Sequence, residues 1–484
     1  MDENIYQSKE FKDYLHKYEA ACSSGSSVYL EPDELTNIAE YYHLHGHHED
    51  ALKAVDLAIQ MFPGATQPLA FRARYAILMK SDTEEAMRYA EMIEDKHDLD
   101  YYYMIAEIMI ADNREQEADG YLEDKEGVID DESIDDFVLD VATLFADYDK
   151  IDLAQKWLGK SNDTEEPDYK ELQGVIAMSQ GNYDESERIF NKLIDDNPYS
   201  VPYWNQLASS QYLRNDPAAS VESSGFSLAI DPEDPDAVIN KANGLLMLGN
   251  QEEALKYYQL FKRLQPQSEI GDMGIGAIMT SQNRMQEALL HYERAEGICS
   301  PKSSNLTEIY RQEFLINAAL SRFEKAVAYI EKLRHQSNIS DSELAILQGY
   351  IDLLRNDTDS ARQWFEKAVE AAGEDTAKAR LLIAYSAYDC NYVNISHDII
   401  YQLVVVEGVE EFTEGWAFLT LCDFDLGLRN DFIEHLRRAI DFNAEEAGRM
   451  LSFIFPEDIN VNQYYSYALA HPDLGTLPKE NMKG

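Results

Sequence analysis

Residues 167–198 read PDYKELQGVIAMSQGNYDESERIFNKLIDDNP, residues 201–232 VPYWNQLASSQYLRNDPAASVESSGFSLAIDP, and residues 235–266 PDAVINKANGLLMLGNQEEALKYYQLFKRLQP. Pro198, Pro232 and Pro266 stand 34 residues apart (232 − 198 = 266 − 232 = 34). Gly181-Asn182-Tyr183, Arg214-Asn215-Asp216 and Gly249-Asn250-Gln251 recur at about that interval, each ahead of a second amphipathic run. Every stretch therefore reads as helix, short turn, helix. The closing proline lacks an N–H donor and stops the second helix from running on.

The same frame extends in both directions. From Pro32, Ile38-Ala39 and Tyr42 fall on one helix, Gly46 makes a turn, and Ala51, Val55 and Ala58 line a second helix before Pro63. Small residues recur at fixed places because two antiparallel helices approach closely only where Ala, Gly or Ser faces a bulkier side chain. Gly174 with Phe190, Trp204 with Leu207, Gly276 with Tyr292, and Gly349 with Phe365 mark the pattern, as do Ala288, Ala295, Ala361 and Ala368.

This pattern resembles the tetratricopeptide repeat, a 34-residue helix–turn–helix unit. The resemblance implies an all-α, right-handed α-solenoid of antiparallel helix pairs. About twelve units are expected over 32–446, starting near Pro32, Gln67, Leu99, Asp135, Pro167, Val201, Pro235, Glu269, Thr307, Ser342, Ala377 and Thr413. The frame is weakest over 99–166, where the second helices, Ala118 to Leu122 and Ala154 to Leu158, read as short. Extra residues at Pro301-Lys302-Ser303-Ser304-Asn305 read as a loop insertion near 301–306. Residues 1–31 form a capping helix over Ile5 to Ala21 and a Ser/Gly turn. Residues 447–484 supply capping helices, Met450 to Phe455 and Val461 to Ala470, and a loose tail from Pro472, because a terminal repeat must cover an apolar face that has no neighbour.

Composition narrows the function. The 484 residues are 45% hydrophobic and 27% charged, enough apolar surface to fold. Asp plus Glu number 90 against 41 Lys plus Arg, for a net charge of −49. Binding to phosphate backbones and anionic lipid rests on Lys/Arg neutralisation, so neither nucleic acid nor membrane is an expected partner. The acidity has a second reading, as a device that keeps a long array soluble. Cys22, Cys299, Cys390 and Cys422 have no CxxC spacing, which suits buried thiols in a reducing, cytoplasmic compartment. The N-terminus shows no signal peptide, and no apolar run reaches the ~20 residues of a membrane helix.

Motifs of chemistry are sparse. His43, His45, His47 and His48 cluster, and His43 and His47 are the weak metal candidates; Gly46 between them argues for an exposed turn. Glu94-Asp95, Asp130-Asp131-Glu132 and Asp135-Asp136 do not fit a calcium loop. Gly271-Asp272-Met273-Gly274-Ile275-Gly276 opens a repeat's first helix rather than following a strand, and reads as close helix packing. No P-loop, nucleophile elbow or zinc-protease motif occurs, so no catalytic residue and no cofactor is expected.

In tetratricopeptide proteins the first helices line a groove at positions two, five, nine, twelve and thirteen. Carried onto this frame, the resemblance places Phe71, Tyr75, Tyr103, Tyr212, Tyr350, Tyr385 and Tyr388 there, with Glu40, Asp100, Glu107, Asp136, Glu171 and Asp236. Rings beside carboxylates suit a basic or neutral protein or peptide partner. The rings have an alternative use, packing between neighbouring repeats. A chaperone carboxylate clamp is disfavoured, since Arg311 and Lys378 are the only basic residues at groove positions, and only Asn37 and Asn240 match an asparagine ladder. The expected function is a protein-interaction scaffold. A peptide-responsive regulator or co-chaperone-like adaptor is the near alternative, and an enzyme with a groove-built site the distant one.

Overall fold

The computed structural model describes residues 6, 8–129, 133–301, 303–409, 412, 414–456 and 458–476. The acidic run Asp130-Asp131-Glu132, Lys302 of the insertion, Thr413 and the tail beyond Thr476 lie outside the described residues. Among the described residues every regular element is a helix, and none is long and apolar enough to cross a membrane.

Helices follow one another as antiparallel pairs: Pro32–Leu44 with His48–Met61, Thr66–Lys80 with Thr83–Met92, Leu99–Ala111 with Glu115–Glu126, and Ile134–Asp147 with Ile151–Leu158. The best-ordered part of the frame gives Pro167–Ser179 with Tyr183–Asp196, Val201–Leu213 with Pro217–Ile230, and Pro235–Met247 with Gln251–Leu264. Local chemistry sets these starts. Pro32, Pro167, Pro217 and Pro235 sit in the first turn, where a missing N–H costs nothing. Ser200, Asp216, Asp234 and Asn250 accept hydrogen bonds from the backbone N–H groups of Tyr203, Ala219, Ala237 and Glu253.

One left-handed residue marks each hairpin turn. The series runs Gly46, Ser81, Asn113, Asp149, Gly181, Asn215, Gly249, Asn283, Ser321, Asn356, Asn391 and Gly427, all at positive φ. Gly181, Asn215, Gly249 and Asn283 are each 34 apart (215 − 181 = 249 − 215 = 283 − 249 = 34), whereas Asn283 to Ser321 is 38. The four added residues fall on the stretch after Ile298.

Packing follows the small-against-large rule. A Cβ on Gly174 would lie 2.7 Å from the Phe190 ring, one on Gly276 2.8 Å from Tyr292, and one on Gly349 2.4 Å from Phe365. Bulk at any of these three sites would part its hairpin. The hairpin over 201–230 departs from this scheme. Its interior is hydrogen-bonded: Ser223 Oγ donates to Gln211 at 2.7 Å, Ser227 Oγ to Asn205 Oδ1 at 2.7 Å, and Asn205 Nδ2 to Asp234 at 2.7 Å.

The chain divides into two compact units, Met1–Leu306 and Thr307–Gly484, at the end of the insertion. In the first, a helix runs Lys9–Ser24, past the end expected at Ala21, and the expected start at Ile5 lies outside the described residues. Ser8 caps it by accepting from Phe11 N–H, and Gly25 ends it in the left-handed conformation. Phe11, Tyr14 and Tyr18 bury against Leu35, Ile38 and Ala39. Two segments distant in sequence also touch in this unit: Gln265 Nε2 donates to the Leu44 carbonyl at 2.9 Å.

In the second unit, Val393–Tyr401 runs into a π-helical stretch, Gln402–Val406. The helix expected over Met450 to Phe455 is instead Ala444–Leu451 followed by a 3₁₀ turn, Ser452–Ile454. Asn443 starts it early by accepting from Glu446 N–H. The last helix is Tyr464–Ala470, and a 3₁₀ turn, Val461–Gln463, leads into it.

Candidate binding face

In the unit Met1–Leu306, successive first helices bring carboxylates together from residues far apart in the chain. Burial raises the pKa of Glu40, and the charge of Asp100 adds to the rise. Asp100 is raised by burial, then by Asp98, Asp140 and Asp33, with Arg74 opposing. Burial likewise raises Asp140, with Asp136 and Asp168 adding. Asp147 is raised by burial and Glu107, Glu171 by burial and Asp168, and Asp236 by burial and Asp234. Each ionised group in this series sits where desolvation and like charge both disfavour it.

Hydrogen bonds cross between neighbouring hairpins on the same face. Tyr6 Oη donates to Glu40 at 3.3 Å and Tyr103 Oη to Asp140 at 2.9 Å. Gln67 Nε2 donates to Asp100 at 3.3 Å. Arg74 Nε donates to both Glu107 oxygens, at 3.0 and 3.3 Å, and Tyr148 Oη donates to Glu107 Oε1 at 2.9 Å. Glu107 itself is only 3% exposed, so its charge is spent within the wall rather than offered to solvent.

Among the expected groove residues, Phe71 and Tyr75 lie 6.5 Å apart, stacked and half-buried, with His43 edge-on to both at 6.0 and 5.9 Å. Tyr103 stacks on Phe137 at 5.8 Å. Tyr212 lies near Tyr258, whose hydroxyl donates to Asn243 at 2.7 Å. In the second unit Tyr350 packs 6.1 Å from Phe314. Tyr385 and Tyr388 pack on Phe418 at 4.6 and 5.4 Å and donate to Glu414 at 3.1 Å and Asp425 at 2.6 Å. The hydroxyls of Tyr103, Tyr385 and Tyr388 thus reach carboxylates of the next hairpin.

His43 does not face His47. Gly46 turns the chain at φ +75°, and His43 Nδ1 lies 2.9 Å from His48 Nδ1. Burial, then the neighbouring His48, pulls the His43 pKa down to about 4. Two neutral imidazoles sharing one hydrogen bond fit this geometry, one donating and one accepting. Among the described residues no group of three or more His, Cys, Asp and Glu side chains is arranged to hold a metal.

Exposed apolar side chains close the last turns of the first helices in this unit: Leu44, Leu78, Met79, Leu213 and Met247. Arg74, Asp140, Asp147 and Tyr148 belong to the face but were not among the residues singled out from sequence. Asp147 occupies position thirteen of the frame begun at Asp135, which could have flagged it. Asp140 occupies position six, outside the five positions carried over, and left no such signal.

No family model and no curated protein sequence matches this chain. Solved structures similar to it include the human IFIT1 dimer with m7Gppp-AAAA, at 15% identity, with 89% of this chain and 94% of that one covered and a TM-score of 0.47. The APC/C hetero-tetramer Cut9-Hcn1 aligns at 12% identity over 96% of this chain and 94% of that one, with a TM-score of 0.39. A tetratricopeptide repeat protein from Parabacteroides merdae aligns at 16% identity over 52% and 98%, also at 0.39. The chain is an all-α, tetratricopeptide-like helical repeat, and its own hairpins carry that statement.

Proposed function

We propose that this helical-repeat protein is a non-catalytic interaction scaffold, and that the first helices of Met1–Leu306 take a basic, amphipathic segment of a protein partner. The observation that carries the reading is the series Glu40, Asp100, Asp140, Asp147, Glu171 and Asp236, each raised by burial and further by a neighbouring carboxylate. Lys or Arg side chains brought alongside would relieve that repulsion. The apolar side chains at Leu44, Leu78, Met79, Leu213 and Met247 would receive the partner's apolar face. Nucleic acid and anionic membrane are poor partners for such a face. The domain organisation that goes with this reading is a cap over 1–31, an array over 32–446 and a second cap over 447–484. Four free cysteines fit a reducing, cytoplasmic setting.

The test is titration of a fluorescent Lys/Leu amphipathic peptide, with a Glu/Leu peptide as control. Binding to the basic peptide alone, weakened by raised salt and by Asp140→Asn with Glu171→Gln, is the expected result. Equal binding of both peptides, or binding that ignores the double substitution, overturns the reading.

A further inference from the structure

A second feature lies between the second helices of two neighbouring hairpins, Gln251–Leu264 and Met285–Ile298. They border a cleft of about 640 Å³ lined by Lys262, Arg263, Arg284, His291 and Arg294, with Glu287 as its one acidic wall residue. Beneath it Asp272 is 1% exposed. It accepts from Lys262 Nζ and His291 Nδ1, both at 2.6 Å, and pairs with Arg294 Nε at 3.3 Å. Burial works to raise the Asp272 pKa, but the hydrogen bonds from His291 and Lys262 outweigh it and hold the group ionised below its ordinary range. One buried carboxylate therefore holds two of these heads by hydrogen bonds and draws a third, the exposed Arg294, toward it. Arg284 forks onto Glu287 at 2.7 and 2.6 Å, an exposed pairing that a bound phosphate would have to share or displace, and Arg263 is exposed with no ion pair among the described residues.

The charge balance of the cleft is the reverse of the chain's. Lys262, Arg263, Arg284 and Arg294 contribute four positive charges against two from Asp272 and Glu287, a net of +2 before His291 is counted. The whole chain carries −49. At physiological salt the Debye length is about 8 Å, so charges lining one cleft act on a ligand there while most of the distant acidic surface is screened. Guanidinium forks pair bidentately with tetrahedral oxyanions, and a lysine adds a point charge.

We propose that this cleft is a phosphate site, taking the ion itself or a phosphomonoester between Arg263, Arg284 and Arg294. It is separate from the carboxylate face and does not depend on it.

Calorimetric titration of the full chain with inorganic phosphate and with O-phosphoserine, at ionic strength held constant with chloride, tests the assignment. Arg263→Gln and Arg284→Gln alter exposed side chains, and circular dichroism checks that helicity is kept. One saturable site, weakened about tenfold or more by each substitution, is expected. Tighter binding of O-phosphoserine assigns the site to a phosphorylated group, and tighter binding of inorganic phosphate to the free ion. No saturable binding of either ligand, or binding that both variants retain unchanged, overturns the proposal.

Discussion

Gln265 Nε2 and the Leu44 carbonyl, 221 residues apart in sequence, are joined by a hydrogen bond of 2.9 Å. Beside it Gly46 sits at φ +75°, and a Cβ there would lie 3.1 Å from Pro266 Cδ and 3.4 Å from the Leu264 carbonyl oxygen. The turn of the first hairpin therefore rests on the end of the helix Gln251–Leu264. Gly46→Ala forces a side chain into both the left-handed conformation and this contact. The expected loss is about 1–2 kcal/mol of stability in urea denaturation. Amide exchange should accelerate together at 44–48 and at 262–266. Acceleration at the first segment alone would mean that the two do not stay in contact.

Arg74→Leu strands Glu107, whose side chain is 4% exposed, with Tyr148 as its remaining hydrogen-bond donor among the described residues. Breaking a fully buried pair costs about 3–5 kcal/mol. Arg74 is 42% exposed, so about 2 kcal/mol is expected here. Adding Glu107→Leu should recover most of that loss in a double-mutant cycle. A pair of losses that simply add would show no coupling.

Acid should act in two opposite directions on the first unit. Glu40, Asp100, Asp140, Asp147, Glu171 and Asp236 have folded pKa values raised above the unfolded ones. The folded state then binds more protons, so their contribution is fully present below the ordinary carboxylate pKa and is lost as pH rises through the raised values. His43 is the reverse: lowered from 6.5 to about 4, it contributes above pH 6.5 and loses that contribution as pH falls through about 4. Asp140→Asn with Glu171→Gln should shrink the stability gained on mild acidification. His43→Phe should enlarge it, each group by at most about 1.4 kcal/mol per pH unit. Urea midpoints at pH 5 and 7 decide; identical pH slopes in wild type and both variants would contradict the assignment.

In the second unit Asp423, fully buried, accepts from His435 Nδ1 at 2.6 Å and from His397 Nε2 at 3.1 Å. Burial works to lower the His397 pKa, and its bond to Asp423 outweighs that and raises it. The resulting stability is fully present below His397's ordinary pKa and lost as pH rises through the raised one. Asp423→Asn should cost about 3 kcal/mol at pH 6 and less at pH 9, read from thermal unfolding. A penalty independent of pH would exclude a charged His397.

The repeat was legible wherever its markers were glycine and proline. Pro32, Pro167 and Pro235 start helices as the frame required, and Gly174, Gly276 and Gly349 meet the rings of Phe190, Tyr292 and Phe365. It blurred where Ser81, Asn113, Asp149 and Ser321 take the left-handed turn position, because those residue types are equally common in ordinary loops. Asn443 was missed as a helix start for the same reason, and Ser8 too. For the candidate face, periodicity could point to Tyr103 and Glu40. It could not report that the Tyr103 hydroxyl is engaged by Asp140, which depends on how one hairpin is rotated against the next. The cation cleft had no motif at all. Lys262, Arg263, Arg284 and Arg294 look unremarkable on or beside two amphipathic helices, and only stacking those helices gathers them into one cleft.

Within Met1–Leu306 the seam at Leu44 and Gln265 also bears on traffic. Five hairpins among the described residues lie between the two that it joins, and a single neutral hydrogen bond there is worth on the order of 1 kcal/mol. The packing of Gly46 against Pro266 and Leu264 adds to it, so the seam is a small contact made of one hydrogen bond and two abutting turns. Were that contact to part, a ligand on the first helices would not have to thread in from a chain end. Its residence time would then follow the parting of the turn at 44–46 from the helix end at 264–266, and a substitution at Gln265 would change how fast partners come and go without touching the surface that holds them.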